Sequence, residues 1–357
     1  MRRVVLDMMD RRPMWAMPTW VPDELRRALP QGWELVVIDV VTDGAGDGAT
    51  RVHPSVLEAV ASAEAYLGYG IHEALLEAAR PLRWVHSGAA GVGKSLTPRM
   101  LSSPVVFTNS AGVHAAPIAE TVLAMILHFG RGLDLATEGK QRGEWWQAPF
   151  YAENAPLREL SASTVGIVGY GGIGREVARR VASLGARVIG LARRRGLEPA
   201  ELVPVQGGGS LGDRVDVVYG EDGLDRLLGE SDAVVVTAPE TEETRGLVGA
   251  RELALMRPGA LLVNVARGRI VDEEALVRAL SEGKLRGAGL DVFAAEPLPA
   301  ESPLWKLPNV VLTPHVSGVT RGFWRRETDL IVRNLRRFLG DAPVETWENV
   351  VDKRAGY

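Results

Sequence analysis

Cysteine is absent from this 357-residue chain. The chain therefore forms no disulfide, offers no thiol nucleophile and provides no thiolate ligand for a metal. We expect no metal site. Structural disulfides belong to oxidising compartments, so their absence fits a cytoplasmic protein, which is the location we expect.

Long apolar runs and a strong charge imbalance are also missing. No apolar run reaches the roughly 18 residues of a membrane-spanning helix. The net charge of −4 and the isoelectric point near 6.0 give no overall basic footprint for nucleic acid. The N-terminus lacks the apolar segment and small-residue cleavage site of a signal peptide and is more typical of a first strand. We expect a globular protein of two domains with neither a membrane nor a nucleic-acid partner.

Glycine, by contrast, is abundant, and it forms one ordered motif. An apolar, β-branched run at 163–168 predicts a buried strand, residues 175–184 have helical spacing, and residues 188–191 predict a second strand. The turn between the first strand and the helix has the spacing G-x-G-x-x-G, formed by Gly169, Gly171 and Gly174, with Gly172 and Ile173 inside it. Strand, turn, helix and strand together predict a dinucleotide-binding unit, although a chance match remains the alternative in a glycine-rich chain.

The acidic residue that reads the ribose hydroxyl of NAD is missing from the end of the second strand. Ala192 stands there, followed by Arg193, Arg194 and Arg195. No carboxylate would repel a 2′-phosphate, and guanidinium groups bind phosphate well. We therefore predict NADP as the preferred cofactor over NAD. The alternatives are a solvated basic turn, or one arginine on the adenine of NAD.

Strand and helix patterns alternate along both halves of the chain, which is typical of parallel α/β sheets. A long helix at 117–133 would connect the halves, residues 136–160 are polar, and residues 196–223 show little periodicity and predict a surface insertion. The amphipathic helix at 326–339 would return to the first half. We predict an α/β fold of two doubly wound parallel-sheet domains: a discontinuous, flavodoxin-like substrate domain (1–110 plus 318–357) and a Rossmann cofactor domain (111–317).

Three polar residues follow predicted strands of the second half, at the edge where open α/β sheets bind ligands. Arg267 is able to hold a carboxylate through two parallel hydrogen bonds. His315 is able to give a proton to a carbonyl oxygen, and Glu296 is able to orient its ring. Taken singly, each has an ordinary alternative as a surface ion pair or a loop residue.

The order of the motifs is more specific than any one of them. The glycine fingerprint, Asn-x-x-Arg-Gly, Leu-Asp-Val-Phe-x-x-Glu-Pro and Pro-His follow one another, and this order resembles the D-2-hydroxyacid dehydrogenase family from about residue 83 to 339. The resemblance implies a catalytic arginine at Arg267, an acid–base histidine at His315 and an orienting carboxylate at Glu296. The cofactor contacts that it implies are Pro239 beside the nicotinamide ribose, Val265 and Ala266 before the arginine, and Asp291 near the nicotinamide carboxamide.

An upstream loop also resembles the family. The segment 87–93 looks like the loop whose backbone N–H groups hold the substrate carboxylate, at Ala90, Gly91 and Val92. Gly93 stands where the family often has aspartate, and a plain glycine turn is the alternative. The family pattern Asn-x-x-Gly is matched at 109–112.

The resemblance implies an oxidoreductase that transfers hydride between NAD(P)H and a small 2-oxo acid, and we expect it to act as a reductase of glyoxylate or hydroxypyruvate. Two other functions stay open: a cofactor-sensing, corepressor-like protein on the same fold, and D-3-phosphoglycerate dehydrogenase. Tyr69-Gly70, where some phosphoglycerate dehydrogenases carry Arg-Ser, weakens the last. The resemblance also implies a homodimer, with Trp145 and Trp146 as candidates for its interface.

Overall fold

The structure, a computed structural model, describes residues 1–41, 52–193 and 211–356. The predicted cofactor residue Arg194 and its neighbour Arg195 lie outside the described residues. The chain divides into two compact units: residues 1–114 with 319–357, and residues 115–318. The sequence-predicted boundaries, 110/111 and 317/318, lie within four residues of these.

The first unit is built on a five-stranded parallel sheet with strand order β2-β1-β3-β4-β5, the doubly wound order of flavodoxin-like folds. Its strands are β1 Arg2–Asp7, β2 Trp33–Val37, β3 Ala65–Gly68, β4 Trp84–Ser87 and β5 Val106–Asn109, and its first helices are α1 Trp20–Ala28, α2 Pro54–Val60, α3 Glu73–Ala78 and α4 Pro98–Ser102. Successive residues of β1, Val4, Val5 and Leu6, are all fully buried, because helices cover both faces of the sheet.

The second unit carries a seven-stranded parallel sheet with strand order β12-β11-β10-β9-β6-β7-β8. Its strands are β6 Thr164–Val168, β7 Arg187–Leu191, β8 Val215–Val218, β9 Ala233–Val236, β10 Ala260–Asn264, β11 Leu285–Leu290 and β12 Val310–Leu312. Its helices are α5 Ala115–Gly130, α6 Leu133–Arg142, α7 Ala148–Tyr151, α8 Gly172–Ser183, α9 Gly220–Glu230, α10 Ala250–Leu255 and α11 Glu273–Ser281. The strand order reverses at β6, between β7 and β9, which is the switch point where Rossmann folds bind dinucleotides.

The last helix, α12 (Phe323–Leu339), returns to the first unit, as predicted. Its buried side chains, including Phe323, Ile331 and Leu335, join the apolar cluster on one face of that unit's sheet. The predicted fold class is therefore confirmed: both sheets are parallel and doubly wound, and the first domain is discontinuous.

One segment prediction was wrong. Residues 196–223 are not all an insertion, because β8 and the start of α9 lie within them. The four-residue β8 is too short for a clear periodicity, and Asp216 interrupts its apolar run. The polar segment 136–160 contains most of α6 and all of α7. In the described part of the chain, no helix combines the length and the apolar character that crossing a membrane requires.

Candidate active site

The glycine turn follows β6 and leads directly into α8. Gly169 has φ of +103°, and a Cβ atom added there would lie 2.5 Å from the backbone nitrogen of Ala238. A Cβ atom on Gly174 would lie 2.3 Å from the carbonyl oxygen of Gly169. Thr237, after β9, donates to that same oxygen at 2.6 Å. Only glycine therefore allows the turn to pack between the ends of β6 and β9.

Gly171 differs from its neighbours because it faces open space. A Cβ atom added there would meet no heavy atom within 4 Å. The next residue, Gly172, begins α8, and the N–H groups of a first helical turn have no acceptor within the helix. An uncrowded backbone beside a helix N-terminus is the shape and polarity that a pyrophosphate requires. The residues present thus fit a dinucleotide.

The residues after β7 bear on which dinucleotide is bound. Ala192 is only 4% exposed and packs in the core beside β8, where its N–H donates to Val218. Arg193 follows it and is exposed. Neither Ala192 nor Arg193 carries a carboxylate. The end of β7 therefore presents an exposed guanidinium, and no acidic group on these two residues, to the ribose of a bound dinucleotide.

The loop after β9 presents Pro239, which is exposed. Thr244 donates to the Pro239 carbonyl at 2.7 Å and also accepts from the Thr241 N–H at 2.7 Å. These bonds close a turn that holds Pro239 at the carboxyl edge of the sheet. Its predicted place beside a nicotinamide ribose stays a prediction.

The loop after β10 presents Arg267. The buried Asn264 accepts from the Ala266 N–H at 3.1 Å and donates to the Arg267 carbonyl at 3.0 Å. This brace buries Val265 and Ala266 and leaves the Arg267 side chain exposed. Among the described residues Arg267 forms no ion pair, and its Nη1 donates only to the Ala266 carbonyl, at 2.7 Å. The guanidinium is therefore available to an external carboxylate.

Gly268 explains why glycine follows the arginine. A Cβ atom added to it would lie 1.9 Å from the carbonyl carbon of Phe293 and 2.3 Å from the Ala294 nitrogen. The Arg267 loop thus lies directly against the backbone of the loop that carries Glu296. Any side chain at position 268 would push the two loops apart.

His315 and Glu296 form a direct pair. The distance from His315 Nδ1 to Glu296 Oε2 is 2.7 Å, and the other carboxylate oxygen, Oε1, accepts from the Phe293 N–H at 3.0 Å. An ionised carboxylate only accepts, so Nδ1 carries a proton and Nε2 is left as the ring atom that exchanges its proton. The His315 side chain is 49% exposed, which makes Nε2 accessible to a substrate.

Asp291 fixes the segment that presents His315. This fully buried carboxylate accepts from the Thr313 hydroxyl at 2.6 Å, from the Val316 N–H at 2.9 Å and from both the N–H and hydroxyl of Ser317. Its backbone carbonyl accepts from the His315 N–H at 2.9 Å. These bonds hold His315 at a φ of +55°, in the left-handed region. The predicted contact of Asp291 with a nicotinamide carboxamide stays a prediction.

In the first unit, the predicted substrate loop follows β4. Val92 is buried, whereas Ala90 is exposed. The N–H groups of Ala90, Gly91 and Val92 donate to no acceptor among the residues that the structure describes. The side-chain amide of Asn109, at the end of β5, donates to the Ala90 carbonyl at 2.8 Å. A cluster of free backbone donors suits a carboxylate better than it suits a plain glycine turn.

Apolar and aromatic side chains pack behind this loop. A Cβ atom added to Gly88 would lie 2.4 Å from Met8 Cε and 3.0 Å from the Tyr69 ring. Burial, together with the nearby Glu327 carboxylate, raises the pKa of Tyr69. Its hydroxyl stays protonated and donates to the Trp15 carbonyl at 2.6 Å. Tyr69 is thus occupied in packing at the position where a phosphate-binding arginine would be needed.

The sequence did not predict three supporting contacts. Gly268 lies directly against the backbone of the Glu296 loop, Asp291 anchors the segment that carries His315, and Asn109 braces the substrate loop. The motifs contain all three residues, but each acts through a partner distant in sequence. The structure brings Arg267, Glu296 and His315 to one edge of the second sheet, as strand order requires.

Comparisons with known proteins agree with this geometry. The family model described as D-isomer specific 2-hydroxyacid dehydrogenase, NAD binding domain, matches residues 123–317. A glyoxylate reductase of Thermococcus gammatolerans is 35% identical over 269 residues, which cover 73% of this chain and 75% of that protein.

Two solved structures are similar over nearly the whole chain. One is a D-isomer specific 2-hydroxyacid dehydrogenase from Xanthobacter autotrophicus Py2 in complex with NADPH and MES, at 29% identity and a TM-score of 0.76, covering 99% of each chain. The other is an NADPH-dependent glyoxylate/hydroxypyruvate reductase from Sinorhizobium meliloti in complex with NADP and sulfate, at 27% identity and a TM-score of 0.74, covering 100% of each chain.

The fold, the glycine turn and the matched family thus define a dinucleotide-dependent oxidoreductase. Within that class, the chain belongs to the D-isomer-specific 2-hydroxyacid dehydrogenase family. The family resemblance recognised in the sequence is confirmed, and the cofactor is NADP or NAD.

Proposed function

We propose that this protein reduces a small 2-oxo acid, such as glyoxylate or hydroxypyruvate, to the D-2-hydroxy acid with NADPH as the preferred cofactor. The observation that carries the proposal is the 2.7 Å pair of His315 Nδ1 and Glu296 Oε2. The loop of Glu296 packs directly against the loop of Arg267, which forms no ion pair among the described residues. The similar reductases of Thermococcus and Sinorhizobium support the substrate class.

The residues divide the chemistry between them. The bound dinucleotide supplies the hydride that reaches the carbonyl carbon. His315 holds a proton at Nε2 and donates it to the keto oxygen, which becomes the hydroxyl of the product. Glu296 keeps the ring in one orientation through its contact with Nδ1. In the reverse direction, neutral His315 accepts the hydroxyl proton at Nε2.

Arg267 is proposed to bind the substrate carboxylate and to polarise the keto oxygen. A guanidinium presents donors in a planar fork that matches the two oxygens of a carboxylate. In the first unit, the free N–H groups of Ala90, Gly91 and Val92 are proposed to bind a substrate carboxylate. Backbone donors hold their positions without a change of rotamer, which favours orientation over simple charge attraction.

The cofactor contacts follow the edge of the second sheet. We propose that Gly169, Gly171, Gly172, Ile173 and Gly174 bind the pyrophosphate with the first turn of α8. Arg193 and, outside the described residues, Arg194 would bind the 2′-phosphate beside Ala192. Pro239, Val265, Ala266 and Asp291 are proposed to line the nicotinamide side.

Replacing Ala192 with aspartate should shift cofactor preference toward NADH. A carboxylate beside the ribose accepts from the 2′-hydroxyl of NADH and repels the 2′-phosphate of NADPH, so we expect the ratio of kcat/KM for NADPH over NADH to fall by at least about tenfold. Steady-state kinetics with both cofactors check this. Ala192→Ser is the matched control, because it adds polarity at the same buried position without charge. A ratio that stays constant in Ala192→Asp would remove the 2′-phosphate from this position.

The substrate proposal is tested by oxidation of NADPH and NADH with a panel of acids: glyoxylate, hydroxypyruvate, pyruvate, phenylpyruvate and phosphohydroxypyruvate. We expect the fastest turnover with NADPH and either glyoxylate or hydroxypyruvate. Turnover confined to phosphohydroxypyruvate would favour the phosphoglycerate alternative, which the packing of Tyr69 against Trp15 opposes. Tight NADPH binding with no turnover of any acid would instead favour a cofactor-sensing, corepressor-like protein.

We infer that the protein acts as a homodimer in the cytoplasm. Trp145 is 90% exposed. The Arg142 guanidinium lies over the ring of Trp146, with Cζ 4.6 Å from the ring centroid. A tryptophan this exposed is more typical of a protein–protein interface than of a free surface. Both the homodimer and the location remain predictions.

A further inference from the structure

The C-terminal segment of the chain runs back along β5, the edge strand of the first sheet. Val350 forms an antiparallel bridge with Thr108, and the Val351 N–H donates to the Phe107 carbonyl at 2.8 Å. The Lys353 ammonium group donates to the carbonyls of Ser103 and Val105. The segment thus covers an edge that would otherwise expose unpaired backbone groups.

Asn349 lies in this segment at the point where β5 ends. Its side-chain amide donates to the carbonyls of Asn109, at 3.2 Å, and Ala111, at 2.7 Å. Its own carbonyl accepts from the Asn109 N–H at 3.1 Å. Asn349 has a φ of +55°, a conformation that asparagine tolerates better than most residues. One residue therefore binds both backbone polar groups of Asn109.

Asn109, fixed in this way, reaches the predicted substrate loop with its side chain. Its Nδ2 donates to the Ala90 carbonyl at 2.8 Å, and its Oδ1 accepts from the Ala111 N–H at 3.1 Å. Asn109 as a whole residue is only 4% exposed, so water does not readily replace these bonds. The orientation of the Ala90 carbonyl is set from inside the unit.

The bond to Ala90 also determines where a free donor points. In a planar trans peptide, the carbonyl of one residue and the N–H of the next point in opposite directions. Because the Ala90 carbonyl points to Asn109, the Gly91 N–H points away from it. Glycine at 91 would otherwise allow this peptide to turn over at little cost.

We propose that Asn349 is a positioning residue for substrate binding: it holds Asn109, and through Asn109 it keeps the N–H of Gly91 directed toward the substrate carboxylate. This rests on the proposed function in one respect, the identity of the ligand as a 2-oxo acid. The orientation of the loop itself does not depend on that identity.

The first test is Asn349→Gly, which removes the side-chain donors while glycine accepts the positive φ. We expect KM for the 2-oxo acid to rise about tenfold and kcat to change less than about twofold, because binding loses an oriented donor while the proton-transfer groups are untouched. The dissociation constant of NADPH should stay unchanged. Asp341→Gly is the matched control: Asp341 is a polar residue at φ of +47° in the same unit.

Two further measurements separate the proposal from a loss of stability and from a failure of the proposed function. Lys353→Met loosens the same segment without touching Asn109, so it should leave KM unchanged; an equal rise in KM would overturn the role of Asn349. Hydrogen exchange of peptides covering residues 86–96 needs no turnover, and we expect exchange about fivefold faster in Asn349→Gly than in the wild type or Asp341→Gly. Unchanged exchange and an unchanged KM would each overturn the proposal. If the wild type turns over no 2-oxo acid but hydrogen exchange of residues 86–96 is faster in Asn349→Gly, the proposed substrate is wrong and the positioning role of Asn349 stands.

Discussion

Replacing His315 with asparagine should lower kcat for 2-oxo acid reduction on the order of 10³-fold, because the reaction loses its proton donor. The dissociation constant of NADPH should change less than about twofold, since no described bond links the imidazole to the glycine turn. Asparagine suits the test because it tolerates the left-handed φ of +55° at this position. Single-turnover kinetics and cofactor fluorescence titration measure the two quantities separately.

Glu296→Gln provides the matched comparison for His315→Asn. Glutamine has one side-chain oxygen, so it can still accept from the ring Nδ1 but no longer from the Phe293 N–H as well, and it removes the negative charge. Because His315 itself is retained, a smaller loss than in His315→Asn is expected. If cofactor binding in His315→Asn weakens as much as turnover, the histidine is a structural part of the cofactor site and the assigned acid–base role is wrong.

The second large effect is expected from Arg267→Lys, which should lower kcat/KM for the 2-oxo acid by about 10²- to 10³-fold. Lysine keeps the positive charge but replaces a planar fork with a single ammonium group, so the two parallel bonds to a carboxylate are lost. The loop itself should be unaffected, because Asn264 braces its backbone rather than its side chain. Steady-state kinetics with varied acid at saturating NADPH measure the change.

Arg269→Lys is the control for Arg267→Lys. Arg269 is also exposed, on the same loop, and among the described residues its Nε makes only a 3.5 Å contact with the Ala294 carbonyl. It should tolerate lysine with little change in kcat/KM. Equal losses in the two variants would show that the loop requires arginine for general electrostatic reasons, and the assignment of carboxylate binding to Arg267 would fail.

The sequence identified features that depend on local rules. The turn at Gly169 and Gly174 is forced by positive φ and by contacts too close for a Cβ atom, so glycine at the right spacing between strand and helix predicts it directly. The parallel α/β order follows from the alternation of strand and helix patterns. The return of α12 to the first unit follows from its amphipathic pattern. The positions of Arg267, Glu296 and His315 follow from strand ends, which parallel sheets gather at one edge.

Features that depend on partners distant in sequence were out of reach. Nothing local in Gly268 indicates that its backbone lies against Phe293, and nothing local in Asp291 indicates that it binds the segment 313–317. The strand β8 was missed because four residues with one aspartate give too little pattern. In each case the deciding contact forms only after the sheet has assembled.

The strand order of the second sheet has a consequence for protein engineering. Ala192 and Arg193 follow β7, on one side of the central β6, whereas Arg267, Glu296 and His315 follow β10, β11 and β12 on the other. Three strand spacings, roughly 14 Å, separate β7 from β10. Mutational libraries directed at cofactor choice and at acid specificity can therefore be built and screened independently, and their best variants combined with additive gains.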